Sequence, residues 1–134
     1  MKADRIFETV LYAEDLQAVK PFYEEILGLD LIEESSLFLV FRLSESVLLI
    51  FNAKESQVEG RGIPHHGTSG QGHIAFAVSQ EAIPVWKAQF EKYGIEIEKE
   101  VTWSPGATGL YVRDPAGNSV EFAPSTLWGG GWSF

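Results

Sequence analysis

Two stretches of this chain repeat each other, and that repeat limits the folds open to it. Glu8-Thr-Val-Leu-Tyr-Ala13 returns 65 residues later as His73-Ile-Ala-Phe-Ala-Val78. At an offset of 66, Leu27-Gly-Leu-Asp-Leu-Ile-Glu-Glu34 lies over Tyr93-Gly-Ile-Glu-Ile-Glu-Lys-Glu100. At an offset of 73, Ser46-Val47-Leu48-Leu49 lies over Ser119-Val120-Glu121-Phe122. A repeat of this length implies two copies of one structural unit, and it governs how everything else is read. It places Glu8 over His73 and Leu48 over Glu121. Two such units related by a pseudo-twofold would offer four equivalent inward positions, occupied here by Glu, His, Glu and Leu. Three of these side chains are suited to binding one divalent cation.

Each half reads β-α-β-β-β. Residues 6–13 alternate as a strand should, with Phe7, Thr9 and Leu11 opposite Glu8, Val10 and Tyr12. Asp15 is a helix N-cap, and Leu16, Val19, Tyr23, Ile26 and Leu27 follow at helical spacing up to the stop at Gly28. Pro21 falls inside that helix and is expected to kink it. Strands are predicted at 29–34, 37–43 and 46–52. In the second half a strand over 73–78 leads to the cap Ser79 and a helix carrying Ile83, Trp86, Phe90 and Tyr93, stopped by Gly94. Strands at 95–101, 108–113 and 118–123 complete it, with Trp103 opening a loop. Asp114-Pro115-Ala116-Gly117-Asn118 has the proline position of a type I turn. The plan is thus one domain over 1–134, with modules at about 6–52 and 73–123, a polar, glycine-rich linker at 53–72 and a tail at 124–134. The aromatic residues Trp128, Trp132 and Phe134 imply that the tail packs on its own core or on a second subunit.

Composition removes several function classes. A length of 134 residues suffices for one core without staples, and the absence of cysteine excludes disulfides, thiolate metal sites and cysteine nucleophiles. A net charge of −9 repels polyanions, which argues against nucleic-acid and acidic-membrane partners. No apolar run approaches a membrane span, and Met1-Lys-Ala-Asp-Arg5 has no apolar signal core, so the expected location is the cytoplasm. No nucleophile triad, phosphate-binding loop or nucleotide fingerprint is present.

The chain resembles the vicinal oxygen chelate superfamily of glyoxalases, bleomycin-resistance proteins, fosfomycin-resistance enzymes and extradiol dioxygenases. The resemblance rests on Val10-Leu-Tyr-Ala-Glu-Asp15-Leu16, Phe22-Tyr23-Glu-Glu-Ile-Leu-Gly-Leu29, Gly72-His73-Ile-Ala-Phe76 and Arg113-Asp-Pro-Ala-Gly-Asn118-Ser-Val-Glu121. It implies an α+β fold of two βαβββ modules, with a curled, U-shaped mixed sheet around a central cavity. It also implies ligands at Glu8, Leu48, His73 and Glu121, of which Leu48 cannot coordinate. Glyoxalase I carries a glutamate at the Leu48 position, so the four-ligand glyoxalase site is not reproduced. Glu8 replaces the first histidine of the dioxygenase triad.

Each residue also has a plainer reading. His73 at a strand start, with Ala75 and Ala77 on its face, is either a ligand beside a cavity or a hydrogen-bonded structural histidine. Glu121 between Val120 and Phe122 is either an inward carboxylate needing a cation or an outward residue of an amphipathic strand. Glu8 has the same two readings. His65 and His66 serve as acid, base or lid residues, or are simply exposed on a polar loop. Tyr111 and Arg113 share a strand face and are candidates to orient a substrate, though a strand arginine usually forms a surface ion pair.

Two carboxylates and an imidazole suit Mn, Fe, Co, Ni or Zn, and three protein ligands leave coordination positions open for substrate. The expected activity is therefore metal-dependent lyase, isomerase or oxygenase chemistry on a small oxygenated metabolite, in a homodimer. Glu8, Glu121 and His66 are the catalytic candidates. The alternative is a metal-free, bleomycin-resistance-like dimer that binds a small molecule.

Overall fold

The computed structural model describes residues 1–129, 131 and 132, so Phe134 of the aromatic tail lies outside the described residues. The chain divides into two compact units, residues 1–70 and 71–134. Each builds one four-stranded mixed sheet and backs one face of it with helix.

In the first unit the strands are β1 (Glu8–Ala13), β2 (Asp30–Glu34), β3 (Phe38–Arg42) and β4 (Val47–Asn52), in the order β1-β4-β3-β2. β1 runs parallel to β4 and the other pairs are antiparallel. The helix α1 (Leu16–Pro21) begins as its sequence dictates, with the Asp15 carboxylate accepting from the Gln17 and Ala18 N–H groups. Pro21 has no N–H for the α ladder, and the chain widens there into a π-helical turn over Phe22–Ile26. That turn closes through Leu27 N–H donating to the Phe22 carbonyl, and Gly28 at φ +70° ends it. The widened turn lays Tyr23 on Phe41 at a centroid distance of 5.7 Å. Leu11, Leu39, Phe41, Leu48 and Ile50 form the helix-facing side of the sheet and are all buried. Asn52 caps a short helix, α2 (Ala53–Ser56), at the start of the predicted linker.

The second unit repeats the plan with β5 (His73–Val78), β6 (Lys99–Ser104), β7 (Ala107–Arg113) and β8 (Ser119–Pro124), in the order β5-β8-β7-β6. The Ser79 hydroxyl caps the entry to α3 (Ile83–Lys92), and Gly94 at φ +68° ends that helix. Trp86 and Phe90 of α3 pack on Phe122, with centroids at 4.6 and 5.2 Å. β6 starts at Lys99 rather than at residue 95. Ile95 N–H still bonds the Phe90 carbonyl, so helix termination consumes the predicted beginning of the strand. Trp103 consequently sits within β6 and not in a loop. It occupies a bulge between the pairs Thr102–Thr108 and Ser104–Ala107. Among the described residues no helix is long and apolar enough to cross a membrane.

Strand register corrects the Leu48 assignment. In the first unit Glu8 lies opposite Val47, and in the second His73 lies opposite Ser119. Ser119 therefore corresponds to Val47 and Glu121 to Leu49, an offset of 72. A slip of one residue moves a side chain to the other sheet face. Leu48 belongs to the fully buried helix side, whereas Leu49 packs on the opposite face with Val40 and Phe51.

Candidate functional site

The sheet face turned away from α3 carries the chemistry of the second unit. His73, Ala75 and Ala77 of β5 lie beside Ser119, Glu121 and Ala123 of β8, and Tyr111 of β7 stands opposite Glu121. Alternation along the strands places all of them on one side, since Phe122, Val120 and Leu110 occupy the helix side. Of the three predicted ligands, His73 and Glu121 are brought together here: His73 Nε2 is 3.2 Å from Glu121 Oε2.

The hydrogen bonds around this pair define what it lacks. His73 Nδ1 lies 3.1 Å from the Ser119 carbonyl oxygen, which can only accept, so Nδ1 carries a proton. Nε2 then faces a carboxylate across 3.2 Å, and two lone pairs cannot meet at that distance without a cation between them. A second ring proton or a metal ion satisfies the contact. Glu121 is only 8% exposed, and its second oxygen, Oε1, is buried without a hydrogen-bond partner. A buried carboxylate oxygen left in that state costs free energy of about 1–3 kcal/mol. The donor set and the orphaned oxygen together fit a divalent ion. The Ser119 bond would hold the imidazole in the tautomer that coordinates through Nε2.

Tyr111 and His73 flank Glu121 from the neighbouring strands, with nearly parallel rings 6.3 Å apart. Burial, together with its bond to the Glu121 carboxylate, pushes the Tyr111 phenol up to about 12. The Trp103 ring lies over Gly109, where a Cβ would come within 3.0 Å of it, and within 6.4 Å of Tyr111. Farther along β5 and β8, Ala75, Phe76, Ala77 and Ala123 line a largely apolar pocket of about 230 Å³ together with Trp128 and Trp132 of the tail. The sequence signal for this opening was the pair of alanines flanking His73. The tail that supplies the indoles is fastened by the Thr126 hydroxyl donating to the Gly106 carbonyl, and Trp128 and Trp132 remain exposed.

The remaining candidates lie elsewhere. Glu8 opens β1 in the first unit, exposed, at the position equivalent to His73. Within neither unit do three His, Asp or Glu side chains of the described residues gather into a metal-holding group. His66 is not the freely exposed loop residue its glycine-rich surroundings suggested. Its Nδ1 is 2.6 Å from the Tyr12 hydroxyl, its ring meets Phe51 edge-on at 4.6 Å, and its N–H donates to the Ser56 carbonyl. Burial raises the Tyr12 phenol. His65 is exposed, 3.8 Å from Glu59. Arg113 takes the plainer role, forming a two-pronged ion pair with Glu98 at 2.6 and 3.1 Å.

Comparison with known proteins agrees with this architecture. Residues 5–122 match the model of the Glyoxalase/Bleomycin resistance protein/Dioxygenase superfamily, and the chain belongs to that family. It is similar to a crystal structure of lactoylglutathione lyase from Agrobacterium tumefaciens, with 37% identity and a TM-score of 0.92 over 97% of this chain and 100% of that one. Virulence protein STM3117 of Salmonella typhimurium is 28% identical over 131 residues, covering 92% of this chain and 85% of the relative. Fosfomycin resistance protein FosX from Listeria monocytogenes shares the fold, with 19% identity, a TM-score of 0.72 and coverage of 95% of this chain and 98% of that one.

Proposed function

We propose that the chain is a metal-dependent enzyme of its superfamily, acting on a small oxygenated substrate. His73 and Glu121 hold the cation, and Glu8, of the same chain or of a second copy in a homodimer, is the third ligand. The observation that carries this reading is the buried, partnerless oxygen of Glu121 beside an imidazole already fixed through its other nitrogen. Similarity to lactoylglutathione lyase from Agrobacterium tumefaciens supports lyase chemistry among the lyase, isomerase and oxygenase options. The fourth position holds Leu49, which has no donor atom, so three protein ligands leave room for substrate.

A divalent ion bound there, whether Mn, Fe, Co, Ni or Zn, supplies Lewis-acid polarisation of a substrate oxygen. The protein's own part is orientation. Ser119 fixes the His73 ring, Tyr111 restrains the Glu121 carboxylate, and the Tyr111 phenol stays protonated at neutral pH and remains a donor. The exposed Ala75 and Ala77 keep the approach to the pair open.

The test is elemental analysis of protein purified without chelator. Near-stoichiometric metal in the parent protein, lost in both His73→Ala and Glu121→Ala, is the expected result. Absence of metal under every loading condition overturns the proposal. It would leave a metal-free, small-molecule-binding dimer, a reading favoured by the indole-walled pocket.

A further inference from the structure

Between the buried Ser56 and the half-buried His66, every residue from Gln57 to His65 is exposed. The ends of this stretch are joined, because the His66 N–H donates to the Ser56 carbonyl at 3.0 Å. A compact surface stretch with joined ends is an Ω-loop. Gly67 follows in contact with Gln57: a Cβ there would collide with the Gln57 side chain, whose amide donates to the Ala53 carbonyl. Arg61 pairs with Glu55 at 3.1 Å and His65 lies 3.8 Å from Glu59. Both pairs join the loop to itself or to α2 and none reaches the sheet. Exposed pairs of this kind also contribute little.

The contact with the sheet is made by the His66 ring. Its Nδ1 is 2.6 Å from the Tyr12 hydroxyl of β1, and it meets Phe51 of β4 at 4.6 Å and 84°. Tyr12 and Phe51 are register partners, and Glu8 and Val10 precede Tyr12 on the same strand face. Phe51 beneath the ring is only 5% exposed. We propose that residues 57–66 form a hinged lid on the outer face of the first sheet, with the His66 ring as its latch on Tyr12 and Phe51. α2 is the hinge, since Asn52 caps it directly at the end of β4. Gly67 and Gly70, the latter at φ +98°, give the released end its freedom. Opening parts the ring from Tyr12 and Phe51 and the His66 N–H from Ser56 together, and it uncovers the strand face that Glu8 begins. The lid is independent of the proposed cation site.

The test is amide hydrogen exchange at position 66 in a double-mutant cycle of Tyr12→Phe and His66→Ala, with hydroxyl-radical footprinting of Phe51. Tyr12→Phe removes the phenol–imidazole bond and leaves the ring in place. It should speed exchange at position 66 about 10-fold and raise Phe51 oxidation. The amides of β3 and the oxidation of Phe122 should stay at parent values. His66→Ala should exchange faster still, and the double variant no faster than His66→Ala, because Tyr12 acts on the lid through that ring. His66→Asn, which keeps an acceptor near the place of Nδ1, should recover part of the protection, and Tyr12→Phe should cancel that recovery.

Unchanged exchange at position 66 in either single variant overturns the proposal, as do multiplicative effects in the double variant. Equal loss of protection in β1 and β4 also overturns it, by making the contact part of the sheet core. If exchange rises while Phe51 oxidation does not, the loop moves without covering that face, and the lid is refuted.

Discussion

The two units present the same face of the same four-stranded frame, filled in opposite ways. In the first, Val10, Tyr12, Leu49 and Phe51 occupy it, with Val40 and Phe38 from the adjacent strand, and the His66 ring edge-on to Phe51. In the second, the corresponding places hold Ala75, Ala77, Glu121 and Ala123, with Tyr111 and Gly109 alongside. The helix sides do not diverge in this way, and both are packed with large apolar side chains. Backbone and helix-side core thus fix the frame, while the outer face varies freely. Large apolar residues satisfy one another there, and small ones beside a carboxylate leave an opening with unmet bonding capacity.

The largest expected effect comes from testing which first-unit leucine stands where Glu121 does. Leu48→Glu buries a carboxylate on the helix side, where nothing can pair with it, and should cost about 4 kcal/mol or more in urea unfolding. Leu49→Glu also introduces a carboxyl among Val40 and Phe51, but at the position that carries the acid in the other unit. Its loss should be about half as large, and manganese in the buffer should recover part of it. Equal losses, with manganese indifferent, would erase the equivalence.

A smaller effect of opposite sign is expected at Glu121. In metal-free protein Glu121→Leu removes a buried oxygen that has no partner, and should stabilise the fold by about 1 kcal/mol. On the proposed reading, the same change should also abolish metal uptake, measured by elemental analysis. Destabilisation would make Glu121 a structural residue and the second face no different in kind from the first.

The smallest effect is at high pH. Tyr111 is raised to about 12 against a reference of 10, so the folded protein holds this proton more tightly than the unfolded chain does. The resulting stabilisation is fully present below pH 10 and is lost as pH rises from 10 toward 12. Ultraviolet titration should show a late-ionising phenol that disappears in Tyr111→Phe. A tyrosine spectrum unchanged by the substitution refutes the assignment.

Much of this was legible in the residues because local chemistry decided it. Asp15 and Ser79 cap helices, Gly28 and Gly94 end them, and strand alternation sorts the faces. The pairing of Glu8 with His73 follows from two strands of equal length at the start of each unit. Leu48 was misassigned because the dipeptide Ser-Val occurs in both halves one step out of true register. The turn joining β7 to β8 is one residue longer than that joining β3 to β4, and its Asp114 carboxylate accepts from Ala116, Asn118 and the Asn118 side chain. Hydrogen-bond register, not residue identity, decides such a match. Trp103 and His66 were illegible for another reason. A bulge aims the first and a tertiary bond to Tyr12 holds the second, and neither leaves a local pattern.

No strand of either sheet is borrowed from the other half, and the stretch from Gln57 to Gln71 contributes to no ladder. A protease nick at Arg61, or new termini placed there, would therefore interrupt no interstrand pairing. Doubling the length of that stretch should cost only about 0.6 kcal/mol in closure entropy. That stretch is thus suited to carrying an inserted reporter, or new chain termini, without disturbing either sheet.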